Sequence, residues 1–167
     1  MTQQAQEGKD LPLSMEDLEP QQLHAVQILE EMFHAGGLNI QPVPVALHPP
    51  YVDIDLRGND VPASFGRHGN WLDALQYLSN LIVLRRVGPE VRLVLDAGGY
   101  RARRAAILEE LAKQYAQMVK ERQEECELDP LPAHERRIIH NALLDDPDVR
   151  TYSEGDDPDR RVIIAPR

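Results

Sequence analysis

Two glycines three residues apart, Gly66 and Gly69, stand directly before a run in which Trp71, Ala74, Leu75, Leu78, Leu81, Ile82 and Arg85 follow the i, i+3, i+4 rule. Such a pair makes a tight loop that empties into a helix N-terminus, and any fold for this chain must accommodate it. Asn70 is well placed to cap that helix, and Gly88-Pro89 to stop it. Upstream, Leu23, Val26, Ile28, Leu29, Met32 and Phe33 mark one face of an earlier helix that ends at Gly36-Gly37. Between the two helices lie runs over 40–47 and 51–56, separated by the turn His48-Pro49-Pro50. The second run alternates, as a strand with one solvated face does. A short helical segment over 61–65 and a strand over 91–95 complete the order helix, strand, strand, short helix, long helix, strand, which closes near Ala97.

The pattern then changes. A long helix from about Arg101 to Glu125 carries Ala105, Leu108, Leu111, Ala112, Tyr115, Met118 and Val119 on one face. A helix over 133–144 follows, and then two β segments, 149–153 and 161–164, flank Glu154-Gly155-Asp156-Asp157-Pro158 as a terminal hairpin. The charge run over 121–129 reads as a solvated helix end. Residues 1–19 are polar, acidic and aperiodic, the signature of a disordered tail. The expected organisation is α+β: an acidic tail (1–19) and two small domains in tandem (20–98 and 99–167).

The formal charge of −10 argues against the basic surface that phosphate binding usually needs. Its distribution softens that objection: residues 1–56 carry one basic and nine acidic groups, 57–104 eight and four, and 105–167 nine and fifteen. Only the middle third is basic, and all eight of its cations are arginines, whose planar fork suits phosphate and can stack on bases. A solvated surface remains the alternative. The single cysteine, Cys126, and a start without basic and apolar regions point to the cytoplasm. No membrane insertion is expected either, since the longest aliphatic run is Leu81 to Leu84.

Catalysis has little support. His134 and His140 are six apart, about 240° around a helix, so they cannot share a metal. Neither glycine loop is followed by a Walker lysine, and Gly98-Gly99 lacks the remaining glycine of a dinucleotide fingerprint. No cofactor and no metal are expected.

The glycine loop has a chemistry of its own. Gly66 and Gly69 let a ribose-phosphate backbone approach closely, the helix N-terminus behind them favours an anion, and Arg67 adds a mobile counter-charge beside His68. Two glycines so spaced are also commonly just a turn. Short helix, loop, amphipathic helix and strand is the arrangement of a KH domain. The stretch Asp60-x-x-x-x-Phe65-Gly66-Arg67-His68-Gly69-x-x-Leu72-Asp73-Ala74-Leu75-Gln76-Tyr77-Leu78 resembles the KH domain of Jag proteins, the bacterial SpoIIIJ-associated family. That resemblance implies a three-stranded sheet with helices on one face, and a loop that clamps a few unpaired nucleotides by their backbone through Gly66, Arg67, His68, Gly69 and Asn70.

A second signature follows: Pro132-x-x-Glu135-Arg136-Arg137-Ile138-Ile139-His140-x-x-Leu143, then Val149-Arg150-Thr151-Tyr152-Ser153-Glu154-Gly155 and Arg160-Arg161-Val162-Ile163-Ile164. It resembles the R-3-H domain, named for Arg-x-x-x-His, which implies a small sheet packed on two helices. Spacing alone puts Arg136 and His140 on one helix face, where two donors could meet a phosphate. A local carboxylate partner for Arg136 and a packed boundary histidine are the alternative. Arg137 and Arg161 lie inside the same signature. Arg101, Arg103 and Arg104 crowd a first helical turn, where the dipole disfavours cations. With Tyr100 they are expected to extend the nucleic-acid surface, a paired helix end being the other reading.

The resemblance runs from about Ile40 to Arg167. Only a short acidic stretch precedes the first helix, where many Jag proteins have a separate basic domain. Phe65 replaces a usual aliphatic residue and Trp71 a small polar one. The family implies a bacterial post-transcriptional regulator that binds single-stranded RNA, with single-stranded DNA as the alternative ligand and a second KH protein or a homodimer as partner. A dimerisation module with vestigial nucleic-acid binding is the rival reading.

Overall fold

A computed structural model describes residues 13–61 and 69–167. The chain divides into two compact units, Met1–Gly99 and Tyr100–Arg167.

In the first unit, α1 (Pro20–Ala35) precedes β1 (Gln41–His48) and β2 (Tyr51–Arg57), and α2 (Asn70–Arg86) precedes β3 (Arg92–Asp96). The strands form one sheet in the order β1-β2-β3, with β1 antiparallel and β3 parallel to β2. Proline cannot donate to a sheet ladder, so Pro42 and Pro44 suit the edge position of β1, which is also bulged between Pro44 and Ala46. Val52, Ile54 and Leu56 of β2 are buried, as are Leu93 and Leu95 of β3, and Val26, Ile28, Leu29 and Phe33 of α1 supply further core. The intervening Asp53 and Asp55 are only half-buried, as the alternation predicts.

The tail expectation fails over 13–19. Ser14 and Asp17 form a reciprocal capping box around a 3-10 turn (Met15–Asp17), the Leu13 amide donates to the Pro44 carbonyl at 2.9 Å, and Leu18 is buried. An aperiodic polar stretch is thus ordered by one buried leucine and the free edge of β1. Residues 1–12 lie outside the described residues, as does 62–68, which holds the rest of the expected short helix.

The second correction concerns α2. Its predicted face is not the one that packs. Leu72, Ser79 and Val83 are buried, while Tyr77, Leu78, Leu81 and Leu84 stay 42 to 66% exposed. The reason is the outer edge of β3. Asn80 donates to the Leu93 carbonyl and accepts from its amide, both at 2.8 Å, and Gln76 accepts from the Leu95 amide at 2.9 Å. These side chains close a strand edge that would otherwise present unpaired backbone groups, so polar residues are drawn inward and aliphatic ones face out. Asn80→Leu is expected to cost about 2 kcal/mol by orphaning both Leu93 groups. A urea midpoint equal to that of the parent chain would contradict this.

In the second unit, α3 (Tyr100–Arg122), β4 (Cys126–Glu127), α4 (Ala133–Ala142), β5 (Val149–Glu154) and β6 (Arg161–Pro166) form an antiparallel sheet ordered β4-β6-β5 with two helices packed on it. Central β6 buries Val162, Ile163, Ile164 and Ala165 in succession. Leu108, Ala112, Ala116 and Val119 of α3 meet Ile139 of α4, Leu143 at its C-cap, Val149 and Ile164 in one core. The predicted hairpin is present. The run over 121–129 is more than a solvated helix end: Gln123, at φ 56°, ends α3, and Cys126 pairs with Ile164 while the Leu128 amide bonds the Val162 carbonyl. No described helix is long and apolar enough to cross a membrane.

Candidate nucleic-acid interface

Gly66, Arg67 and His68 lie outside the described residues. The structure does define the exit of their loop. Gly69 is the N-cap of α2, at φ 75° and ψ 15°, and it is buried. Asn70, the cap expected from the sequence, is instead the first helical residue and exposed. A left-handed backbone costs a side-chain-bearing residue roughly 1–2 kcal/mol, so this position favours glycine, and no side chain intrudes on the helix start.

The Arg-x-x-x-His helix is α4. Arg136 is only 7% exposed. Its Nη1 donates to the Leu131 carbonyl at 2.7 Å and to Asp157 Oδ1 at 2.9 Å, tying the start of α4 to the β5–β6 turn. One turn later, half-buried His140 sits between two hydroxyls of β5, with Nδ1 at 2.7 Å from Thr151 Oγ1 and Nε2 at 2.9 Å from Ser153 Oγ. Burial, and then the nearby Arg136 charge, hold its pKa below the ordinary imidazole value. A neutral ring accepts from one hydroxyl and donates to the other. Both side chains thus have partners within their own unit, a carboxylate for Arg136 and a packed boundary position for His140. Both residues brace the fold, because the nearest oxygens available to them are this unit's own.

This carries a pH dependence. The folded value lies below the unfolded one, so the unfolded chain takes up the proton first and stability falls as pH drops through the ordinary imidazole range. Urea midpoints at about pH 7.5 and about pH 5.5 should differ more for the parent chain than for His140→Gln. Equal differences would exclude His140 as the source.

Arg104 has a partner of its own. The sequence places it on the binding surface, but its Nε and Nη2 clasp Glu135 Oε1 and Oε2 at 2.7 and 3.1 Å. Glu135 is 1% exposed, so stability does explain this arginine in a first helical turn. Arg57 and Arg86, counted toward the basic third, are likewise paired, with Asp55 and Glu31, each at 2.7 Å. Tyr100 and Arg101 are half-buried at the start of α3, and Arg137 is exposed on α4. Arg161 is ion-paired with Glu127.

Sequence reasoning missed Thr151 and Ser153. Strand alternation places them on one side of β5, but only the packing of α4 against that side reveals the histidine between them. On the opposite side, Arg150 lies 5.9 Å from the centroid of the Tyr152 ring, whose hydroxyl donates to Glu125 at 3.2 Å.

A family model for the R-3-H domain matches residues 106–166. The chain is 38% identical over 142 residues to the RNA-binding protein KhpB of Clostridium symbiosum, covering 84% of this chain and 64% of that protein. It is 41% identical over 102 residues to KhpB of Lactiplantibacillus plantarum (61% and 32%), and 31% identical over 112 residues to KhpB of Bacillus subtilis (66% and 54%). The chain spans less than two thirds of the length of each of these relatives.

Proposed function

Because this chain carries an R-3-H domain and is homologous to the KhpB proteins, the Jag family, we propose that it is a single-stranded RNA-binding protein, acting without catalysis as a cytoplasmic post-transcriptional regulator. The observation that carries the reading is the extent of the likeness. The 142 matched residues exceed the Tyr100–Arg167 unit, so the kinship with RNA-binding relatives reaches into both units. The first unit is read as the KH domain (20–98), supported by its helix-strand-strand-helix-strand order, its mixed sheet, and a left-handed glycine where the loop enters α2. The second is read as the R-3-H domain (99–167).

In this reading the RNA backbone lies along Gly66, Arg67, His68, Gly69 and Asn70, with Arg137 and the Tyr100–Arg101 turn as further contacts. Arg136 and His140 shape the second unit. Several arginines are engaged in ion pairs and the net charge is −10, so the binding is modest and its salt slope shallow. Fluorescence anisotropy with an unstructured RNA at two salt concentrations tests this. Absence of salt-sensitive binding at micromolar protein would sink the reading.

The exposed apolar stripe of α2 favours a second role for the same unit: Tyr77, Leu78, Leu81 and Leu84 form a surface suited to a second KH unit, in a homodimer or another protein. Leu78→Glu with Leu81→Glu is expected to abolish self-association measured by light scattering. A parent chain that is monomeric at high concentration would remove the homodimer.

A further inference from the structure

The second unit has an exposed aromatic side chain, Tyr152, with no part in the glycine loop or the Arg-x-x-x-His pair. Along β5, Val149 is buried, and Thr151 and Ser153 bond His140, so these three face the helices. Arg150, Tyr152 and Glu154 therefore face away from them. Tyr152 is 38% exposed on an edge strand, opposite buried Ile163 in the ladder, and its hydroxyl donates to Glu125. A ring so anchored loses little freedom when something flat settles on it.

We propose that Tyr152 and Arg150 form a stacking site for one unpaired base of the RNA, a site that rests on the RNA-binding reading above. The guanidinium of Arg150 is 5.9 Å from the ring centroid, at the outer limit of a cation–π contact and wider than a single stacked layer. Seating a base between the two requires roughly 7 Å, two layers of about 3.5 Å, which the long exposed arginine reaches by swinging out slightly. The surrounding charge selects the part of the nucleotide. Glu125, Glu127 and Glu154 lie around or beside this ring, by hydrogen bond, ladder pairing or strand position. Arg161 is paired with Glu127, which leaves Glu125 and Glu154 to disfavour phosphate, so the site accepts a base face while the backbone is held elsewhere. Stacking is tolerant of base identity, and the expected contribution is about tenfold in affinity.

The test uses the full chain and a labelled single-stranded RNA. Tyr152→Phe, which keeps the ring, should bind within about twofold of the parent. Tyr152→Leu should bind about tenfold more weakly with the salt slope unchanged, since no phosphate contact is lost. A folded Tyr152→Leu chain that binds as tightly as the parent overturns the site alone. A parent chain with no salt-sensitive binding overturns the RNA reading and the site with it. Should Tyr152→Leu not fold, photocrosslinking the parent chain to thiouridine-containing RNA decides: a crosslink on the β5 peptide holding Tyr152 supports the site, and crosslinks confined to other peptides overturn it.

Discussion

Arg104→Met is expected to unfold the Tyr100–Arg167 unit under conditions in which the parent chain is stable. The substitution keeps helix propensity and bulk but strips the clasping guanidinium from Glu135, a carboxylate with 1% of its side chain exposed. Removing one member of a buried pair costs about 3–5 kcal/mol, because the remaining charge is stranded in a poor dielectric. A small domain has only about 5–15 kcal/mol in all. The Arg104 pKa is raised, chiefly by its hydrogen bonds to Glu135 and against the effect of burial, so titration does not release the pair near neutral pH. Urea unfolding followed by circular dichroism measures the loss, and an unchanged midpoint would refute it. Arg104→Met with Glu135→Leu should recover most of the stability, since an apolar pair of similar volume avoids the desolvation cost. If that double variant folds and binds RNA like the parent, Arg104 belongs to the core and not to the interface.

Gly69→Asp is expected to reduce RNA affinity at least about tenfold, the cost of a fixed carboxylate a few ångströms from a phosphate. The position is left-handed and buried at the N-terminus of α2. Aspartate and asparagine tolerate that backbone better than other side chains, so the two substitutions share their steric cost and differ in charge. Gly69→Asn is the control. Anisotropy should separate the two variants clearly at low salt and less so at high salt, where screening weakens the repulsion. Equal loss in both would assign the effect to loop shape, and no loss in either would remove the glycine loop from the interface.

The long helices, the hairpin and the α+β class are legible because each rests on local signals: 3.6-residue periodicity in α1 and α3, alternation in β2, prolines and glycines at the turns. Other features are not. β4 is two residues long and exists only because β6 offers it an edge. The inward face of α2 is hidden because Gln76 and Asn80 look solvated by composition, while their partners in β3 lie 19 and 13 residues away. Arg104 meets Glu135 across 31 residues, a pairing no spacing rule announces.

The candidate site divides in the same way. Backbone periodicity sets which residues are neighbours within one element, so a glycine loop entering a helix N-terminus, Arg136 and His140 on one helix face, and Arg150 and Tyr152 two apart on a strand are all legible before folding. Which side chains have donors to offer a ligand depends on how the elements pack. Arg104 and Arg136 are engaged within their own unit, His140 is held neutral between two hydroxyls, and Tyr152 is left facing out. Burial sets the cost of an unpaired polar group, and burial is a property of packed elements rather than of any one of them.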